Sequence, residues 1–309
     1  MTITRPPHLQ RGTAPVAGSD VRWPIELVWA SGSEASGDGV RGGPLPVELG
    51  ARYEGRLDIP LRPDRPTIVA NFVSTLDGVV ALDRVGASGG REISGGFEPD
   101  RFMMGLLRAT ADAVVVGAGT VRASRTHGWT PGDAHPASAS AFAGWRRDMG
   151  LTAPVPATVI VTASGDLEAH HLPAPDSEVI VVTTPSGATR LRGLPEARHV
   201  EIAPVDGTDA IPPDVLVEFL ETRGFRVVLS EGGPAVFGQL LAARLVDEVF
   251  LTLAPQLAGR GSPDDRLSLV EGVALPPGAA WARLRSVMRA NDHLFLRYQL
   301  SPPARKDPS

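Results

Sequence analysis

No cysteine occurs among the 309 residues, and that single absence removes disulfides, thiol nucleophiles, thiolate-bound zinc and iron–sulfur clusters together. Excess basic charge is also missing. Lys and Arg number 30 against 35 Asp and Glu, a formal net charge of -5, which leaves no electrostatic footprint for a nucleic-acid backbone. The seven histidines form neither an H-E-x-x-H pattern nor a helical pair four residues apart, and the adjacent His170 and His171 stand in a proline-flanked loop, so no metal is expected. There is no apolar run of about 18 residues, and the opening M-T-I-T-R-P-P-H-L-Q lacks the apolar centre of a signal peptide. A cytoplasmic protein with neither a membrane nor a nucleic-acid partner is the expectation. Repeats and heptads are absent too, and what remains, at 42% hydrophobic and 21% charged, is an ordinary globular composition for one large domain or two smaller ones.

Residues 1–65 are rich in Gly, Pro, Ser and Ala and read as a partly irregular extension over the surface, with a short strand at 25–30. The first dense apolar run, T-I-V-A-N-F-V-S at 67–74, reads as a buried strand that leaves the core at Asp77-Gly78. A glycine-bearing loop (Gly86, Gly89, Gly90) precedes a helix over 99–110, whose apolar face is Phe102, Met103, Leu106 and Leu107. The run 111–121 reads as a buried strand breaking at glycines, with a helical turn at 122–124. Strands follow at 158–162, 179–183 and 226–230, with a helix at 215–222. E-G-G-P-A-V-F-G-Q-L-L (231–241) is a glycine turn with proline at a helix entry. A strand at 246–253 and a hairpin of 282–288 and 293–300 end the pattern. The spacing predicts an α/β domain over 66–301, a mostly parallel sheet flanked by helices with an antiparallel C-terminal edge hairpin, and an irregular tail at 302–309.

Two glycine turns, each after an apolar strand, carry the main chemical signal: V-V-V-G-A-G-T-V at 114–121 and V-V-L-S-E-G-G-P at 227–234. Glycine lets backbone approach a phosphate, and the next helix N-terminus supplies free N–H groups and a favourable dipole. The pair suits a dinucleotide, although glycine also ends strands for purely structural reasons. A Rossmann fingerprint is not completed, because Arg122 stands where its third glycine belongs. Four further positions have two readings each. Asp77 ends a strand where a carboxylate would hold or protonate a ring nitrogen, or simply closes a turn. Glu231 orients a substrate ring or caps a helix. Arg108 clamps a substrate phosphate or complements a helix C-terminus. Arg122, with Arg125 and His127, recognises the 2′-phosphate of NADPH or is a solvated loop.

Taken together, V-S-T-L-D-G, L-L-R-A-T-A-D-A-V-V-V-G-A-G-T-V-R-A and L-S-E-G-G-P-A-V-F-G-Q-L-L-A-A-R-L-V-D-E-V-F-L-T-L-A-P-Q-L-A-G-R-G resemble the pyrimidine reductase family of riboflavin biosynthesis, in order over about residues 66–300. The resemblance implies a dihydrofolate-reductase-like fold, usually dimeric, that uses NADPH to reduce the ribosyl group of an aminouracil ribosylamine phosphate by hydride transfer. Carried over, cofactor contacts fall on Val73, Glu92, Thr120, Ser124 and the turn and helix start from Gly233 through Pro234, Ala235, Val236 and Phe237 to Gln239. Substrate contacts fall on Gly90, Arg108 and Glu231. Gly117, Gly119, Arg122 and Gly232 join the cofactor set from the glycine-turn reading, and Asp77 and Glu231 are the candidate catalytic groups.

Two departures stand out. Asn71 occupies the substrate-side position where many family members have a lysine, and R-A-S-R-T-H-G-W replaces their aspartate-rich stretch. The proton donor is therefore open. Without cysteine, the chain has no zinc deaminase domain of the kind fused in bifunctional members. An NADPH-dependent pyrimidine reductase acting on a small heterocycle as a homodimer is the leading expectation. The alternatives are a dihydrofolate or pterin reductase on the same fold, a flavin-binding reductase, and a nucleotide-binding relative without catalysis.

Overall fold

The computed structural model of the chain describes residues 24–31, 39–82, 90–124, 128–173, 177–193, 200–207, 209–261, 266–276 and 280–300. It opens with β1 (Glu26–Ala30), β2 (Val40–Pro44), the one-turn α1 (Val47–Gly50) and β3 (Arg56–Pro60). Next come β4 (Thr67–Ser74), β5 (Ala81–Leu82), α2 (Gly90–Ile93), α3 (Glu98–Thr110), β6 (Ala113–Gly117) and α4 (Ala118–Ala123). Helices α5 (Pro131–Ala134) and α6 (Ala139–Asp148) lead to β7 (Ala157–Thr162), β8 (Val179–Thr183), α7 (Pro185–Arg192) and β9 (Glu201–Pro204). After these lie α8 (Pro213–Thr222), β10 (Val227–Ser230), α9 (Gly233–Ala242), β11 (Glu248–Leu253), β12 (Arg266–Leu267), β13 (Ala282–Ala290) and β14 (His293–Leu300).

Among the described residues ten strands make one sheet in the order β1-β13-β14-β11-β4-β10-β6-β7-β8-β9. Neighbours from β11 through β9 are parallel, while β14, β13 and β1 run antiparallel. The parallel strands read as near-continuous apolar runs because helices cover both of their faces. This is the expected α/β class with one change at the rim. The C-terminal hairpin is not the sheet's edge, since β1 pairs with its outer strand from Glu26↔Arg289 to Ala30↔Ser286.

The extension is more firmly built than its composition suggests. Ile25, Leu49, Tyr53, Leu57 and Ile59 are buried in the same cluster as Phe102, Leu106 and Phe142 of α3 and α6. Ion pairs fasten it further: Arg41 to Asp112 at 2.5 Å, and Arg62 and Arg65 to Asp247 at 2.7 and 2.8 Å. Sparse, widely spaced apolar residues carry this packing, so periodicity does not announce it. Residues 1–23 and 301–309 lie outside the described residues.

One boundary also shifts. The strand expected over 111–121 stops at Gly117, and Ala118 already begins α4. The apolar residues Ala118 and Val121 are buried on the helix rather than in the sheet, and apolar content alone does not separate those two outcomes. Helix α3 starts where Pro99 fits the first turn, and Glu98 and Asp100 there complement the helix dipole. At its other end the buried Arg146 guanidinium donates to the carbonyls of Ala109 at 3.1 Å and Ala111 at 2.7 Å, partners the last turn cannot supply itself. No helix among the described residues is long and apolar enough to cross a membrane.

Candidate active site

Strand alternation decides which residues meet. Val69 of β4, Leu229 of β10 and Phe250 of β11 belong to the α3-side core, so two residues further on Asn71, Glu231 and Thr252, and four further on Val73, emerge on that same face at the C-terminal ends of the strands. Helix α3 lies over them. Its residues Asp100, Met104 and Arg108 repeat at four-residue spacing and so share one stripe.

At the inner end of that stripe Arg108 grips Glu231. Its Nε donates to Oε1 at 2.8 Å and its Nη2 to Oε2 at 2.6 Å, with side chains only 5% and 9% exposed. The remaining Nη1 donates to the Thr130 carbonyl at 3.0 Å and reaches that of Gly128 at 3.4 Å. Every edge of the guanidinium is therefore occupied by partners within the chain. Arg108 holds Glu231 in place, in a site where an unpaired carboxylate would be costly.

Asp77 is likewise engaged within the chain. It accepts from the Thr75 hydroxyl at 2.6 Å and from the backbone N–H groups of Ala258 at 3.0 Å and Gly259 at 2.5 Å. These bonds, that from Thr75 foremost, hold its carboxyl well below the usual carboxylate range. An exposed carboxylate in that state gives up no proton near neutrality. It ties the loop after β11 to the end of β4.

The group with the opposite character is Asp100, which the sequence analysis does not single out. Burial pushes its carboxyl up to about 6, further raised by the Glu231 charge and opposed by hydrogen bonds from the hydroxyls of Thr252 and Ser94. Some of the residue's surface nevertheless reaches solvent, so it is not sealed in the core. The signal available in the sequence was the spacing Asp100, Met104, Arg108, which places a carboxyl on the stripe of the best-matched arginine. Lysine supplies no alternative among the described residues, because the only one in the chain is Lys306.

The two glycine turns converge on each other. A Cβ on Gly117 would sit 2.9 Å from the Gly232 carbonyl oxygen, and one on Gly232 would sit 2.9 Å from that of Val115. Both glycines are thus required by backbone packing, and their effect is to set the starts of α4 and α9 side by side. Gly119 faces open space, and Thr120 Oγ1 lies 2.8 Å from where a Cβ of Gly233 would be. This paired set of helix starts, with one backbone approach unobstructed, fits the diphosphate of a dinucleotide.

The other expected cofactor positions divide. Val73 packs against Gly90, since a Cβ there would meet its Cγ1 at 2.8 Å, and Glu92 stays partly exposed beside them on α2. Ser124 ends α4, donating its N–H to Thr120. Ala235 is exposed and Val236 partly so, but Pro234 and Phe237 are buried, with the Phe237 ring 5.0 Å from that of Phe72. Those two side chains belong to the core below the site. Arg122 is exposed and donates to the Asp166 carbonyl at 2.9 Å. Its expected companions Arg125 and His127, and the loop glycines Gly86 and Gly89, lie outside the described residues.

Comparison with known proteins meets this geometry. The 2,5-diamino-6-ribosylamino-4(3H)-pyrimidinone 5′-phosphate reductase of Methanothermobacter thermautotrophicus is 28% identical over 226 residues, 71% of this chain and 90% of that protein. The reductase of the same name from Archaeoglobus fulgidus is 27% identical over 202 residues, covering 64% and 85%. Among solved structures, a pyrimidine reductase-like protein from Corynebacterium diphtheriae shares the fold with a TM-score of 0.57 at 21% identity, covering 77% of this chain and 92% of its own. A Thermotoga maritima deaminase/5-amino-6-(5-phosphoribosylamino)uracil reductase does so with a TM-score of 0.55 at 23% identity, and there the match spans 57% of the longer chain. The model of the RibD C-terminal domain matches residues 66–274, from the first strand of the parallel core to beyond α9 and β11, and the chain belongs to that family.

Proposed function

We propose that the chain is an NADPH-dependent reductase that converts the ribosyl group of an aminopyrimidine ribosylamine 5′-phosphate to ribityl, with Asp100 as its proton donor. The observation that carries this reading is the juxtaposition of a carboxyl poised at about 6 with the Glu231–Arg108 pair at the strand ends. A general acid works best when its pKa lies near the working pH.

The cofactor, when bound, supplies the hydride. The chain's residues do the rest. The starts of α4 and α9 hold the diphosphate, and the exposed Arg122 is positioned to select the 2′-phosphate. Glu231, fixed by Arg108, accepts hydrogen bonds from the pyrimidine's amino groups. Asn71 adds an amide at the adjacent strand end, and Val73 and Met104 make apolar walls that limit water. In the open-chain imine form of the substrate, hydride adds at C1′ and the C=N electron pair moves to nitrogen. The Asp100 carboxyl delivers a proton to that nitrogen and leaves as carboxylate.

A homodimer in the cytoplasm completes the proposal, supported by the exposed Val28 and Trp29 on the edge strand β1. The test is absorbance at the nicotinamide band with the diaminopyrimidinone and aminouracil ribosylamine phosphates and, separately, dihydrofolate. Oxidation of NADPH by a ribosylamine phosphate is the expected result. Turnover with dihydrofolate alone would assign a pterin reductase instead.

A further inference from the structure

Asp100 owes its position to a connection that is loose by itself. Between α2 and α3 the chain passes Gly95 and Gly96, both left-handed at φ 66° and 69°, and no sheet pairing reaches this stretch. Two successive residues of that kind have wide backbone freedom, so the placement of the first turn of α3 depends on what grips either side. Two grips come from parts of the chain outside the family match at 66–274.

The first comes from the extension. Arg52 Nη1 donates to Glu98 Oε1 at 2.5 Å, and His135 Nε2 lies 2.5 Å from the same oxygen, so one carboxylate joins three segments. Arg52 is itself well anchored: its carbonyl accepts from Ile25 N–H at 2.8 Å, its neighbour Tyr53 is buried, and its guanidinium lies 5.9 Å from the Phe102 ring centroid. The second comes from the C-terminal hairpin. His293, at the start of β14, stacks on Phe97 with centroids 4.0 Å apart and planes 12° from parallel. Its Nε2 lies 3.2 Å from the Ser94 carbonyl oxygen. Arg52 and His293 thus reach the same seven-residue stretch, Ser94 to Asp100, from opposite ends of the sequence.

We propose that Arg52 and His293 are positioning residues which, through Glu98 and through Ser94 and Phe97, hold the first turn of α3 so that the Asp100 carboxyl stays bonded to Thr252 within the field of Glu231. Neither touches the reacting atoms. The proposal rests on the assignment of Asp100 as proton donor, yet the placement of that carboxyl is measurable without turnover. The charged groups about it are Glu231, paired with Arg108, and Glu98 on its own turn, paired with Arg52.

The experiment compares wild type with Arg52→Ala, Arg52→Lys, His293→Phe and His293→Ala, each checked for native circular dichroism at the assay temperature. Two readouts are taken: the ¹³C carboxyl titration of Asp100 by NMR, and kcat, its pH profile and KM for NADPH. In Arg52→Ala and His293→Ala the Asp100 titration should move from near 6 toward the ordinary carboxylate range. In those variants kcat should fall about tenfold with KM for NADPH unchanged, as expected for a small misplacement of a reacting group. Arg52→Lys, which keeps the charge, and His293→Phe, which keeps the stack, should retain most of both. An unchanged Asp100 titration in folded Arg52→Ala and His293→Ala overturns the proposal. If wild type turns over none of the substrates, the functional reading fails, and the NMR titration alone then decides whether the two grips act on Asp100.

Discussion

Replacing Asp100 by asparagine separates what this carboxyl costs from what it does. Its ionisation is shifted from 3.8 to about 6, chiefly by burial and next by the Glu231 charge. A shift of that size corresponds to about 3 kcal/mol of unfavourable ionisation once the group is charged. The sign follows from proton binding. Below the unfolded value of 3.8 the acid is protonated folded and unfolded, and its ionisation contributes nothing. Between 3.8 and about 6 the folded state binds the extra proton, so stability is lost as pH rises through that window, and the full cost is present above it. Asparagine keeps the shape and never ionises. Asp100→Asn should therefore be more stable than wild type at pH 8 by about 1–3 kcal/mol, with the difference shrinking steadily toward pH 4. Urea unfolding at several pH values measures it. The same variant should lose about two to four orders of magnitude in kcat, the usual contribution of a positioned acid. A variant that is less stable than wild type at pH 8, or whose stability difference does not vary with pH, would refute the assignment of a desolvated carboxyl.

Three further outcomes follow from the site. Arg108→Ala leaves Glu231 unpaired at 9% exposure and takes the Arg108 donor from the Thr130 and Gly128 carbonyls, so denaturation should show a loss of roughly 3–5 kcal/mol; adding Glu231→Gln should recover part of that loss, and strict additivity would contradict the pairing. Gly232→Ala places a methyl 2.9 Å from the Val115 carbonyl oxygen, and should cost about 1–3 kcal/mol and weaken NADPH binding in a fluorescence titration. Asp77→Asn leaves one amide oxygen where two carboxylate oxygens accept from the Ala258 and Gly259 N–H groups, so limited proteolysis should cut the 254–260 loop faster while the acid limb of the kcat profile stays in place; a moved limb would assign Asp77 to the proton-transfer step.

The strands of the parallel core were legible because each is a compact apolar run between breakers, as in 67–74, 179–183 and 227–230. The α4 start was not, since Gly117-Ala118-Gly119 prolongs an apolar run and only the three-dimensional contact with Gly232 marks the turn. Arg108 and Glu231 were both named, but as separate ligands. Their bidentate pairing joins residues 123 positions apart, and nothing local in the sequence encodes it. Asp100 was missed for the opposite reason: an acid in the first turn of a helix has a sufficient local explanation in the dipole. Its burial beside Thr252 and Glu231 is a property of the assembled sheet. The extension escaped because residues such as Ile25, Leu49 and Ile59 are too scattered to make a period, yet each fills a gap over α3.

The most direct test of the central claim is a stopped mixture of the protein with NADPH and the diaminopyrimidinone ribosylamine 5′-phosphate, followed at the nicotinamide band and by mass spectrometry of the product. One NADPH oxidised per ribitylamino product formed, with Asp100→Asn binding NADPH normally but turning over slowly, is the expected result. NADPH that neither binds nor is oxidised would contradict the reading of the paired helix starts as a dinucleotide site and, with it, the reductase assignment.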